Sequence, residues 1–326
     1  MNRPDLETRG NPTLITAAHL EGYAKQLSNW GRWGENDQLG TLNFVTPDKV
    51  ADAARLVTEG ARFSLGLPFD QTGPQTGEYG RINPVHFMRD VYFGTEKSNH
   101  HICGIRGADD WLVMPMQAST HWDALAHIFY RDRMYNGFPS DLVTTDGAKR
   151  NGIEHTRDKM AGRGLLLDVA RAYDIDMLPA GFPITPEVLD FTAERQQVEV
   201  ESGDFLIIRT GMVEDRLRRG VWDDYIAKDA PGLSFDTAEW LHRKEVAAVA
   251  MDTFGCEVIP NNAADILQPW HWIVIPIIGL TVGENFFLKD LADHCAADGR
   301  YAFFFVAPPL IVTGSVSGAV NPMAFK

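Results

Sequence analysis

Between Gln117 and His127 the chain reads Gln-Ala-Ser-Thr-His-Trp-Asp-Ala-Leu-Ala-His. That puts two imidazoles and a carboxylate, His121, Asp123 and His127, within seven residues. Such side chains hold divalent cations and move protons near neutral pH. The spacing adds to this. His121 and Asp123 are two apart, so an extended segment points both to one face. Asp123 and His127 are four apart, so a helix starting at Asp123 stacks them on one face. A strand running into a helix here converges all three on one spot, as a metal-dependent hydrolytic centre requires.

A second polar pair lies downstream, where His271 and Glu284 interrupt the apolar run from Pro269 to Asn285. A Glu in such surroundings is costly to bury unless paired or coordinated. Taken alone it starts a solvated helix, since acids are common in first turns. His100 and His101 fall in an expected strand, where alternation turns only one inward, and they read as structural. His86, His155, His242 and His294 have no companion residues. The aromatics Trp122, Phe129, Tyr130, Trp270 and Trp272 suit either core packing or the wall of a pocket for a planar substrate, with Trp122 and Trp272 the candidate substrate contacts. The segment Trp33 to Asn43 serves equally as a lid or as packing for the N-terminal helices.

These residues need elements to position them. Ala17 to Leu27 carries a helical apolar stripe, and Thr46-Pro47-Asp48 opens a second helix that Gly60 would stop. Arg62 to Gly80 reads as one short strand and a loop. Val85 to Met116 reads as a run of strands broken at Gly94 and at Gly107 to Asp110. Strands are expected at Gly164 to Ala170, Asp204 to Thr210, Val246 to Met251 and, last, Ala302 to Val312. Helices are expected at Thr185 to Arg195, Phe235 to Lys244 and Glu284 to Ala296. The class is α/β or α+β around a mixed sheet. With no glycine- or proline-rich linker, an N-terminal helical extension (1–60) followed by one catalytic domain (61–326) is the expected division.

Composition narrows the function classes. The chain has 326 residues, 30 basic against 44 acidic, for a net charge of −14. Nucleic-acid binding needs clustered Lys and Arg, and no such run occurs. Three scattered cysteines, Cys103, Cys256 and Cys295, form no CxxC pair and suit a reducing cytoplasm. The polar start is no secretory signal, and no apolar run has membrane-spanning length. A phosphate-cradling glycine loop and a serine nucleophile elbow are both missing, which argues against nucleotide use and serine hydrolase chemistry.

The two polar segments together resemble the metal-dependent cyclase family, to which bacterial kynurenine formamidase and isatin hydrolase belong. Its signature is His-x-Gly-Thr-His-x-Asp-x-x-x-His, followed about a hundred residues on by a His and a Glu twelve or thirteen apart. Thr120, His121, Asp123 and His127 match the first part, and His271 and Glu284 fall where the pair belongs. Trp33 to Asn43, Tyr135-Asn-Gly137, Ile208-Arg-Thr-Gly211 and Val249-Ala-Met-Asp-Thr253 look like the longer members. Gln117 and Ser119 replace the signature's first His and Gly, and an amide oxygen is a weaker zinc ligand than imidazole.

The resemblance implies a swivelling β/β/α cyclase-like fold. It implies His121, Asp123, His271 and Glu284 as metal ligands, with Gln117 a further contact, and His127 as general acid/base. It also implies one or two zinc or manganese ions and a homodimer or homotetramer acting on a small molecule. A divalent cation brings the pKa of bound water toward neutrality. The expected reaction is hydrolysis of an amide, formamide or lactam bond. Lactone hydrolysis, dehydration or cyclisation with one ion is the alternative, as is a non-catalytic binding protein.

Overall fold

In the computed structural model, which describes residues 5–93, 106–226, 228–263 and 266–326, a nine-stranded mixed sheet positions everything else. His100, His101, Cys103 and the break expected at Gly94 lie outside the described residues. In chain order, helices α1 (Ala17–Gln26) and α2 (Pro47–Ala54) precede strand β1 (Arg62–Ser64). The strands β2 (Val85–Phe93), β3 (Gly107–Val113) and β4 (His121–Asp123) follow, then β5 (Ala161–Asp168), α3 (Pro186–Gln196), β6 (Phe205–Arg209) and α4 (Met212–Arg219). The chain closes with α5 (Thr237–Arg243), β7 (Ala248–Met251), β8 (Thr281–Glu284), α6 (Lys289–Asp298), β9 (Ala302–Val306), β10 (Ser317–Ala319) and β11 (Met323–Phe325).

The sheet runs β1-β11-β9-β5-β6-β7-β8-β4-β10. Its centre, β5 to β8, is parallel, and its flanks are antiparallel. The parallel strands read as apolar runs because both of their faces are covered. Leu206, Ile208, Val249, Met251 and Val282 enter one core cluster, with Leu189, Trp240 and Ile275 from the covering segments. Phe205, Ile207, Ala248 and Ala250 enter the other, with Leu291 and Cys295 of α6. Period-two alternation thus splits one sheet between two cores.

Several helices begin where their capping residues place them. Thr46 and Thr185 accept from Lys49 N and Val188 N, each with proline just inside the helix. At the ends of β6 and β7 the Asp252 carboxylate accepts from Thr210 N (2.7 Å), Thr210 Oγ1 (2.9 Å) and Gly211 N (2.6 Å), tying neighbouring strand ends together. Arg209, beside it, bridges Asp168 and Glu214.

The structure corrects several expected elements. No helix starts at Asp123: the chain leaves β4 in a turn closed by His127 N donating to Ala124 O (3.0 Å). Glu284 does not open a helix but ends β8, and α6 begins five residues later. Gly107 to Asp110 is strand rather than a break. The strand at Ala302 is not the last, since β10 and β11 follow. The second helix ends at Ala54, well before Gly60.

The first sixty residues are stitched to the sheet. Thr41 Oγ1 donates to Ala247 O (2.8 Å), and Gly60 N donates to Lys326 O (2.7 Å). The Trp33 to Asn43 segment packs rather than lines the site: Asp37 accepts from Tyr135 Oη (2.9 Å), and Gln38 Oε1 from Asn151 N (2.8 Å). Gly40, at φ +58°, lies so close to Gly279 that a Cβ would meet its carbonyl oxygen at 2.0 Å. Among the described residues no helix is long and apolar enough to cross a membrane.

Candidate metal centre

Strand β4 has only three residues, and pairing on both sides defines it. Against β8, His121 lies opposite Glu284 and Trp122 opposite Gly283; against β10, Asp123 lies opposite Ser317. Alternation sends His121, Asp123 and Glu284 to one face and Trp122 to the other. His271 arrives from a different direction, on the helical turn His271–Ile273 that runs into a wider turn over Val274–Ile278.

The four side chains meet in a buried space. His121 Nε2 stands 3.5 Å from Asp123 Oδ1 and 3.8 Å from Glu284 Oε2, while His271 Nε2 stands 3.8 Å from Glu284 Oε1. Ligand atoms each about 2.1 Å from one tetrahedral ion stand about 3.4 Å apart, so these separations are those of a shared cation. Ligand atoms of His121, Asp123 and Glu284 all lie within 4.8 Å of one another. His271 stands slightly wider but lines the same cavity of about 20 Å³, with Arg81, His127, Phe254 and Gln268. That volume admits a single ion or water.

Hydrogen bonding aims both imidazoles. His121 Nδ1 donates to Ser119 O (2.8 Å), and His271 Nδ1 bonds Glu257 Oε1 (2.7 Å), so both present Nε2 to the cavity. Trp270 N donates to Glu257 Oε2 (3.1 Å) and fixes that carboxylate. Among the described residues, two buried atoms facing the space, His271 Nε2 and Glu284 Oε2, have no hydrogen-bond partner. Orphaned buried polar atoms are costly, and a cation would satisfy both, so the donor set fits a divalent ion.

The electrostatics agree. Burial alone would push both imidazoles down, yet bonds and charges from Asp123 and Glu284 hold His121 above its usual range. For His271 the same burial is outweighed by Glu257 and Glu284, which lift it to about 10. Burial favours raising Asp123, but His127, His121 and His271 hold it well below the usual carboxylate range. A field that retains protons on imidazoles so strongly also attracts a cation in their place. His127 differs: burial and the charge of Arg81 outweigh Asp123 and keep it below the usual imidazole value.

The structure thus gathers His121, Asp123, His271 and Glu284, and brings His127 Nε2 to 3.7 Å from Asp123 Oδ1 without the expected helix. Three other candidates stand elsewhere. Gln117 does not line the cavity: its amide nitrogen donates to Ser317 Oγ (2.8 Å), which donates to Asp123 Oδ1 (3.0 Å). Trp122 is wholly buried on the opposite face, edge-on to Phe286, its indole N–H on Ala307 O. Its ring lies over Gly283, where a Cβ would meet it at 2.6 Å. One residue from His121 and Asp123, it had to face away. Trp272 packs half-buried against the first core cluster and does not line the cavity. Sequence spacing gave no hint of Glu257, Ser317 or Arg81. Glu257 carried only a composition cue, an acid between the apolar residues Cys256 and Val258.

Comparison with known proteins bears on this geometry. Residues 63–258 match the family model described as putative cyclase. A crystal structure described as a novel cyclase is 36% identical, with a TM-score of 0.84 over 92% of this chain and 100% of its own. Isatin hydrolase A from Ralstonia solanacearum shares the fold at 15% identity, with a TM-score of 0.61 over 85% of this chain and 95% of its own. A predicted metal-dependent hydrolase from Bacillus stearothermophilus does so at 16% identity, with a TM-score of 0.51 over 82% and 98%. No curated protein matches the chain. By the family model and by identity across nearly its whole length, this chain belongs to the cyclase family, in that family's mixed α/β fold.

Proposed function

We propose that this protein is a metal-dependent hydrolase that cleaves a C–N bond, an amide, formamide or lactam, in a small aromatic or cyclic substrate. The observation behind it is the buried convergence of His121, Asp123, His271 and Glu284, with one imidazole nitrogen and one carboxylate oxygen left unpartnered. A shared fold with isatin hydrolase A, whose name states a cyclic amide as its substrate, supports the C–N class.

When bound, zinc or manganese supplies an acidified water and a Lewis acid for the carbonyl. His121 and His271 would hold it through Nε2, Asp123 and Glu284 through carboxylate oxygens. His127 lines the same cavity beside Asp123, and its lowered pKa favours the neutral imidazole near neutral pH. It takes the proton from the attacking water at Nε2 and returns it to the leaving nitrogen. Gln117 does not line the cavity, which favours a single ion. We extend the proposal to a homodimer or homotetramer in the cytoplasm. Its support is the exposed apolar surface of the β2–β3 ribbon and two buried, unpaired cysteines.

The test is metal analysis of the purified protein, followed by turnover of aryl formamides, isatin-like lactams and lactones with and without chelator. Stoichiometric metal and chelator-sensitive C–N cleavage are expected. Turnover of lactones alone would move the assignment to ester chemistry. A metal-free protein indifferent to chelator would leave a binding protein.

A further inference from the structure

One charged side chain in the cavity wall makes no hydrogen bond or ion pair among the described residues, and its only part in the proposed reaction is its field on His127. Arg81 follows the short turn Glu78–Gly80, and its backbone N–H donates to Glu78 O. Its guanidinium lies over the Phe254 ring, 6.0 Å from the centroid, and reaches the cavity that holds His127 and the four candidate ligands. No carboxylate among the described residues forms an ion pair with it. A guanidinium cannot shed its charge, so a partly buried one without a counter-ion is a standing site for an anion.

Arg81 also lines a second space. A shallow, open cleft of about 460 Å³ adjoins it, lined by Gln71, Gln75, Thr76, Gly77 and Asn83. That is the size of a small-molecule pocket, whereas the metal cavity has room for little more than the ion. The cleft wall is braced. Gln75 N donates to Asn83 Oδ1 (2.8 Å), and Asn83 Nδ2 donates back to Gln75 O (2.9 Å). Gln75 Nε2 donates to Gln117 O (3.0 Å) and Ala118 O (3.1 Å), which fixes the amide's orientation. Its Oε1 is buried with no donor among the described residues, so the wall behind the cleft is packed rather than solvated.

We propose that Arg81 is the specificity residue of this site: it anchors a carboxylate on the body of the substrate, which occupies the adjoining cleft while the scissile carbonyl reaches the metal centre. The substrate class is therefore a carboxylate-bearing amide or lactam. This rests on the metal-dependent reading above. The rival explanation for Arg81 is simple neutralisation of Asp123 and Glu284. In that case its removal would tighten cation binding and leave ligand choice unchanged.

The experiment uses the zinc-loaded full chain and two kinds of probe that share a metal-binding head: benzohydroxamate, and its ortho, meta and para carboxylated derivatives. Calorimetry on the wild type is expected to show the best carboxylated probe binding about tenfold tighter than the parent, the range of a charge-assisted bidentate pair. In Arg81→Met with an unchanged melting temperature the ratio should fall to about one, and Arg81→Lys should restore part of it. Equal affinities in the wild type, binding of neither probe, or a preference that survives Arg81→Met overturns the assignment. A wild type that discriminates the probes yet hydrolyses no C–N substrate would instead overturn the hydrolase proposal and leave Arg81 in its role.

Discussion

His121 and His271 each commit Nδ1 to an internal acceptor, which leaves Nε2 as the only nitrogen either can offer the cavity. Glu257 therefore matters as much as the side chains that would touch the ion. Glu257→Ala is expected to lower zinc affinity about 10–100-fold, measured by competition with a chromophoric chelator, because outer partners of ligating histidines have effects of that size. His127→Ala should keep its metal and lose about 10²–10⁴ in kcat, the usual contribution of a positioned acid/base. The wild-type kcat/KM should fall as pH drops through the His127 pKa, which lies below 6.5, and the variant should lack that limb. Full activity in His127→Ala would remove it from the mechanism. At this scale much of the site was legible, since His121, Asp123 and His127 crowd into one short segment. Glu257 was not, because its partner is 14 positions away on a turn that no local pattern announces.

Elements that span several periods were the most readable. The helix at Thr185 and the strands around Leu206 and Val249 fall where capping and apolar runs placed them. Strand β4 has three residues flanked by β8 and β10, as the extended reading of His121 to Asp123 expected; the helix expected from Asp123 onward is a turn instead. Glu284 misled for a related reason: an acid near a helical stretch is the commonest first-turn signal, yet here a four-residue strand ends on it. The turn carrying His271 is held from behind by the left-handed approach of Gly40 to Gly279. Gly40→Ala should destabilise the protein by about 3 kcal/mol or more, read from denaturant melts, since a strained φ is combined with a clash against main chain. An unchanged midpoint would show that this contact is loose.

On the scale of the whole molecule, sequence patterning gave the mixed α/β class and the apolar centre of the sheet. It missed the C-terminal strands, whose pairing partners lie far away in the chain. Buried charge makes a global prediction. Burial and the neighbouring Glu214 raise Asp252 to about 7, against the opposing pull of Arg209 and Thr210. The folded chain then keeps a proton that the unfolded chain, with an ordinary carboxyl, gives up near pH 4. The stability due to this group is present below pH 4 and is lost as pH rises through about 7. Melting temperatures followed across that window should show the decline, and Asp252→Asn should flatten it. Assembly offers a second check. Phe87 and Trp111 stack 6.1 Å apart on a ribbon that also exposes Val91, Leu112 and Val113. Apolar surface of this extent marks an association face, so light scattering should give at least twice the monomer mass, and Trp111→Glu should reduce it.

Ser317 follows Asp123 by 194 positions, yet the two share a hydrogen bond inside the site. During synthesis His121 and Asp123 therefore leave the ribosome long before their neighbours on either side exist. A nascent chain halted short of Ser317 lacks the hydroxyl that fixes the Asp123 carboxylate, although all four candidate ligands are already made. On the metal-dependent reading, capture of the ion would then come late in folding, after the C-terminal strands have paired.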